Sequence, residues 1–379
     1  MRFLITPDSF KESMTSRQAA QSMERGIKKV MPDAVCELAP MADGGEGTAE
    51  CLMHAQQGEL VKCKVQNPFG EEIATDYVWV DRKKKAIIEV AKACGIMLTI
   101  PQERNPLTAS SYGVGQMIAH ALQKGCRELV ITLGGTVTND GGSGMLQALG
   151  AELKNAQGNT VSRGARGLEE IVSMNIQKPK QMLKDVKVTV VCDVKCPLLG
   201  QTGATYMFGP QKGVTEDLLD RLETGMKNYA DILCDCVHRR VDEQPGAGAA
   251  GGIGAALFAI CQADYVNGSQ YMMRELELEK KIRDCDVVFT GEGSIDSQSL
   301  QGKVPIGIAN MAQRYGKPVI AFVGMIRGES KNFNDQGVTA VFSIINKLDN
   351  IENVLSDAEY NLEDTVFNVV QVLRMRGGI

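Results

Sequence analysis

The feature that most constrains this chain is an alternation of strand-length apolar runs with stretches of helical period, a rhythm satisfied by helices packed on largely parallel sheets. Phe3 to Thr6 is followed by a helical pattern from Arg17 to Val30, and Cys36 to Pro40 by one from Thr48 to His54. The style then changes. Leu60 to Val65, Ile73 to Val80 and Ala86 to Val90 are three strand-like runs with turn signals at Asn67-Pro68 and Gly70, which reads as a sheet insertion or the start of a second lobe. The rhythm returns with a helix from Gly113 to Gln123, a strand from Leu129 to Leu133, a helix from Gly144 to Ala151 and a strand from Val186 to Cys192. Strands at Val287 to Thr290, Pro318 to Val323 and Ala340 to Ile345 then lead to a helix near Leu355 to Arg374. With 379 residues, two or three domains are expected. The predicted architecture is α/β with two lobes: a Rossmann-like parallel-sheet domain from residues 1–75 and 285–379, and an inserted α/β domain from residues 76–284.

Charge and cysteine usage exclude several classes of function. With 46 acidic against 41 basic side chains the formal charge is -5, so the surface offers no overall attraction to nucleic acid or to an anionic membrane. The longest uncharged run, Gly246 to Ala263, is mostly Gly and Ala and too poor in large apolar surface for a membrane span. Met1 to Phe10 carries Arg2 and Asp8, lacks the pattern of a signal peptide and reads as a first strand. Eleven scattered cysteines without a C-x-x-C pair suit free thiols in a cytoplasmic protein. Cys234, Cys236 and His238 have a zinc-like spacing but no fourth ligand nearby, and an incidental helix face is the simpler reading.

In parallel α/β folds ligands gather beyond the carboxyl ends of strands, and the polar clusters of this sequence fall there. After the first strand come Asp8, Ser9 and Lys11; Lys11 can meet a phosphate or carboxylate, or be an ordinary surface charge beside a turn. Two D-G-G-x-G loops follow strands, at Asp43, Gly44, Gly45 and again at Asp140, Gly141, Gly142, the second preceded by Gly134, Gly135 and Asn139. Their glycines let backbone amides approach a ligand, and their aspartates either orient a hydroxyl or hydrated Mg²⁺ or cap the following helix. Asp193 ends a strand, where a general base for an attacking hydroxyl is well placed, and Lys212 can neutralise phosphate charge. Gly291, Glu292, Gly293 and Asp296, with Lys303 shortly after, suit nucleotide phosphates with magnesium, Glu292 and Asp296 being the metal candidates. Arg104 can grip a carboxylate, with Ser110 and Ser111 at a helix start either reading hydroxyls or capping.

Two familiar motifs are absent in substance. Gly246 to Gly251 matches G-x-G-x-x-G, but Val241 to Pro245 is a poor strand and no acidic residue follows at the right distance, so a close-packed helix start is preferred. No G-x-x-x-x-G-K-[ST] occurs, and none of His54, His120 and His238 lies in a glycine-rich loop, which leaves a Ser/His/Asp hydrolase without its base.

Taken together, D-S-F-K-E-S (8–13), A-D-G-G-E-G-T (42–48), R-N-P (104–106), A-S-S-Y-G (109–113), D-G-G-S-G-M (140–145), F-G-P-Q-K-G (208–213) and G-E-G-S-I-D-S-Q (291–298) resemble the class I glycerate kinase family, in family order over nearly the whole chain. The resemblance implies a two-lobed enzyme with its active site between the lobes. It would use ATP and Mg²⁺ to phosphorylate D-glycerate, most often at the 2-position, as a monomer or homodimer. The sequence departs from the family pattern at Lys195 and Cys196, where the family reads Asp-Asn, and at Ser294, where it has Arg. The rival readings are an NAD-linked hydroxy-acid dehydrogenase using the glycines at 246–251 and a non-catalytic sugar-acid sensor.

Overall fold

The runs buried on both faces become the central strands of two sheets. The computed structural model describes residues 1–295 and 304–376. Its strands, in chain order, are β1 (Arg2–Ile5), β2 (Val35–Leu38), β3 (Glu59–Gln66), β4 (Glu72–Val80), β5 (Lys85–Glu89), β6 (Glu128–Thr132), β7 (Glu152–Lys154), β8 (Ser173–Asn175), β9 (Lys187–Val191), β10 (Asp264–Val266), β11 (Val287–Ile295), β12 (Val319–Ile326) and β13 (Ala340–Ser343).

The chain divides into two compact units, one of Met1–Asp43 with Ser269–Ile379 and one of Gly44–Gly268. The first holds a five-stranded sheet in the order β13-β12-β11-β1-β2, with every pairing parallel. Phe3, Ile5, Phe289 and Phe322 anchor its core, against which the helices Ser16–Val30 and Ala358–Arg376 pack. The chain moves from β1 to β2 on one side and from β11 to β12 on the other. That reversal makes a topological switch point beside β1.

The second unit holds a six-stranded sheet, β10-β9-β6-β5-β4-β3, parallel from β5 to β10 and antiparallel through β3-β4-β5, with the small hairpin β7-β8 apart from it. The division falls at 43/44 and 268/269 and not at 75/76 and 284/285. The reason lies in the sheet: β3 pairs with β4 along eight residues and β4 with β5, so residues 59–80 are built into the second sheet. The central strands β6 and β9, buried from Leu129 to Thr132 and from Val188 to Val191, lie under the helices Tyr112–Gln123 and Ala249–Ile260.

Among the described residues no disulfide forms and no helix is long and apolar enough to cross a membrane. Cys234 donates to Asp242 and Cys236 to the Met174 carbonyl, while His238 terminates the helix Glu216–Val237 in a left-handed conformation. These three residues thus serve the helix end.

Candidate active site

In the first unit, ladder hydrogen bonds run past the strand ends and carry the polar residues with them. Asp8 N–H donates to Gly291 O and Met41 N–H to Pro7 O, both at 2.8 Å. Asp8 thus follows β1, Asp43 follows β2 and Glu292 lies within β11, three neighbouring strands at the switch point. Asp8 is only 8% exposed. Burial, with the Asp43 and Glu292 carboxylates adding, pushes its pKa up to about 8, although the Ser9 N–H at 2.6 Å and the Lys11 charge oppose the rise. Lys11 stands at the exposed tip of the loop that Phe10 and Met14 close by bridging. Gly293 runs against the Phe10–Lys11 backbone, and Gly291 is glycine because a Cβ would strike the Phe322 carbonyl of β12. Asp296 and Lys303 lie outside the described residues.

Among the described residues no three His, Cys, Asp or Glu side chains converge closely enough to hold a metal by themselves. Asp8, Asp43 and Glu292 nevertheless bring three carboxylate side chains to the switch point. That fits Mg²⁺, which takes few carboxylates and completes its shell with water and phosphate oxygens. A cavity of about 480 Å³ in the same unit, lined by Gln313, Lys317, Asn334 and Thr339, opens at the amino ends of β12 and β13, the wrong end for a ligand in a parallel sheet.

In the second unit, the carboxyl ends of β5, β6, β9 and β10 present Glu89, Gly134–Gly135, Asp193 and Asn267 in sheet order. The first glycine loop lies across this edge. A Cβ on Gly44 would come within 2.8 Å of Gly268 and 3.2 Å of Val191, and one on Gly134 within 3.2 Å of Gly45. Asp193 is solvent-exposed, with Oδ1 accepting from Asn267 Nδ2 at 2.6 Å and from the Gly268 N–H at 2.8 Å. Arg104 reaches the F-G-P-Q-K-G loop, donating from Nη1 to Gln211 O at 3.0 Å, and its buried Nε has no partner.

Other expected ligand groups are turned inward. The Asp140 carboxylate is fully buried and accepts from Ser111 N, Ser111 Oγ, Gly142 N and Gly144 N at 2.8, 2.9, 3.1 and 3.3 Å. Ser111 Oγ in turn accepts from Met145 N and so ties two helix starts together, while Ser110 Oγ accepts from Tyr112 N at the start of its own helix. Gly141 and Gly142 pack beneath Tyr229 and Ala256, where a Cβ would meet them at 2.5 and 2.7 Å. Here the capping alternative holds, because the second D-G-G loop is core and its donors are consumed internally.

Lys212 is 2% exposed and braces the same loop from below, donating to Thr138 O at 2.7 Å and Thr136 Oγ1 at 3.4 Å. Burial brings its pKa down to about 8. Asn139 donates to Thr205 Oγ1. The G-x-G-x-x-G stretch is likewise packing: no strand precedes it, a Cβ on Gly252 would lie 2.6 Å from Gly141, and one on Gly251 would strike Thr138 O. Sequence reasoning missed Glu89 and Asn267. The Asn-Gly pair at 267–268, at the end of a short strand, was the available signal for the second.

Each unit thus carries its polar loops at the carboxyl ends of parallel strands, where the ligands of α/β enzymes gather. The glycerate kinase family profile matches residues 3–374. A glycerate kinase of Haemophilus influenzae is 42% identical over 376 residues, covering 99% of this chain and 100% of the relative. The glycerate 2-kinase of Escherichia coli K12 is 40% identical, with 98% of each covered. A crystal structure from Salmonella typhimurium LT2, designated glycerate kinase 2, superposes with a TM-score of 0.88 at 41% identity, covering 100% of both chains. The chain belongs to the glycerate kinase family and is a kinase.

Proposed function

We propose that this enzyme transfers the γ-phosphoryl group of ATP, with Mg²⁺, to the 2-hydroxyl of D-glycerate. The observation that carries the reading is the crowding of Asp8, Asp43 and Glu292 at the switch point, in a chain that matches glycerate kinases over almost its whole length. The 2-position is taken from the relative named glycerate 2-kinase. Mg²⁺, when bound, supplies charge neutralisation at the phosphates.

The chain's own residues do the rest. Glu292, with Asp8 and Asp43 beside it, supplies oxygen ligands, Asp296 being a further candidate by sequence, and Lys11 adds a solvent-facing positive charge for phosphate. Lys303 is a further candidate for that role. The amides of Gly44, Gly45, Gly134 and Gly135 meet the polar groups of glycerate, and Arg104 offers its unpartnered Nε to the carboxylate. Asp193, fixed by Asn267 and Gly268, takes the proton from the attacking hydroxyl. Lys212, Asp140, Ser110 and Ser111 act from behind, as supports for the 134–144 loop.

The test is ADP release from ATP and Mg²⁺ with and without D-glycerate, followed by phosphorus NMR of the product. Glycerate-dependent ADP with a 2-phosphoglycerate signal is expected. A 3-phosphoglycerate signal refutes the regiochemistry, and ADP release indifferent to glycerate refutes the acceptor.

A further inference from the structure

Glu89 ends β5 with its side chain folded beneath the surface, 4% exposed, and phosphoryl transfer as described above makes no use of it. Its Oε1 accepts the Ala49 N–H at 2.8 Å, and the Gly47 N–H stabilises the same carboxylate. These donors belong to the start of the helix Thr48–Gln56. Its N-cap, Gly47 at φ 86°, has no side chain with which to satisfy them. A helix start leaves four N–H groups without intrahelical partners, and the N-cap side chain usually answers one. Here a carboxylate from a neighbouring strand does so.

A buried carboxylate is a costly cap. Burial raises the Glu89 pKa, and Glu46 adds to the rise against the pull of the N–H donors and Lys92. What the arrangement gains is placement, since it ties the helix to the sheet end and not to the adjoining loop. The loop between them is Gly44–Gly45, already pressed on Val191, Gly268 and Gly134 at its other side. A shift of the helix start therefore moves the glycine backbone over the ends of β6 and β9.

We propose that Glu89 is a positioning residue for the acceptor: from β5 it fixes the first turn of Thr48–Gln56 and so sets the Gly44–Gly45 amides at the distance that glycerate requires. Glu89 touches no ligand itself. The inference rests on the assignment of this loop to the acceptor site.

The experiment compares E89Q, the charge-retaining E89D and a control, N228A, in the full chain. Asn228 ties the helix Glu216–Val237 to the Leu168 and Ile171 carbonyls elsewhere in the same unit. ADP release is measured with D-glycerate and ATP varied separately, and melting is followed by emission of Trp79, the sole tryptophan, which is buried in β4. E89Q is expected to raise the glycerate KM about tenfold, the factor for one lost charge-assisted hydrogen bond. Its KM for ATP should stay within about twofold of the wild type, since that site is untouched. E89D should fall between, while N228A lowers the melting temperature and leaves the glycerate KM alone. An unchanged glycerate KM in a folded Glu89 variant, or an equal rise in N228A, overturns the proposal. If the wild-type protein itself releases no glycerate-dependent ADP, the acceptor assignment fails first and this inference with it.

Discussion

Asp140→Ala separates support from catalysis at the second glycine loop. The substitution removes an acceptor shared by three backbone N–H groups and one hydroxyl, all in a fully buried setting. Ser111 Oγ keeps its other bond, accepting from Met145 N, but the N–H groups of Ser111, Gly142 and Gly144 lose theirs. At about 1–3 kcal/mol for each buried donor left unmet, the gross loss is about 3–9 kcal/mol. Relief of the buried charge offsets part of it, since burial holds the Asp140 pKa above its usual range. A net destabilisation of about 3–5 kcal/mol is expected, the size seen when a buried charged network is broken. For a unit of this size that corresponds to a melting temperature lower by roughly 6–20 °C. Thermal unfolding read by Trp79 emission measures it, because Trp79 is buried in the sheet of the same unit. Asp140→Asn keeps one acceptor oxygen but turns an amide toward the N–H donors, so about half the loss is expected. A D140A protein that melts within about 1 °C of the wild type yet loses turnover by more than about a thousandfold refutes the reasoning, because such a profile belongs to a residue acting on the reacting groups.

Asp193→Asn should lower kcat by about 10²–10⁴ while leaving the melting temperature nearly unchanged, since an amide oxygen can still accept from Asn267 and Gly268; near-normal turnover removes Asp193 as the base. Asp8 has a folded pKa of about 8 against an ordinary 3.8, so the native state holds an extra proton between those values and its stability falls as pH rises through that window. Asp8→Asn should therefore gain on the wild type in melting temperature from pH 4 to pH 8, and a difference independent of pH refutes the crowding. Lys212 is shifted the other way, from 10.5 to about 8, so the penalty of its buried ammonium is full below pH 8 and is relieved as pH rises toward 10.5. Any stability advantage of Lys212→Met at pH 7 should shrink by pH 10, with turnover reduced at both because Thr136 and Thr138 lose their brace; an advantage that grows with pH refutes the assignment.

What the sequence made legible follows from how local each signal is. The buried strands announced themselves because β6 and β9 are short runs dominated by Val, Leu and Ile, and the helix Ser16–Val30 because its apolar residues recur at helical spacing within one unbroken stretch. The placement of the polar loops was legible where strands end, and the structure sets Asp8, Asp43 and Asp193 just beyond the carboxyl ends of β1, β2 and β9. The domain boundary was not. Residues 44–75 follow the first lobe in sequence, but the pairing of β3 with β4 and of β4 with β5 captures them into the second sheet, and pairing partners cannot be read from a single run. The two D-G-G loops carry a deeper ambiguity. Their motifs are nearly the same, yet Gly44 and Gly45 lie at the rim of a sheet while Gly141 and Gly142 are sealed under Tyr229 and Ala256. A glycine pressed on a sheet edge and one pressed on a neighbouring helix obey the same steric rule, so only the packing distinguishes them. The aspartate before each pair then divides the same way. Asp140, closed in by helix starts, becomes the cap for its own loop, whereas Asp43 at the switch point is crowded with carboxylates and leaves the capping of the next helix to Glu89, forty residues further on at the end of another strand.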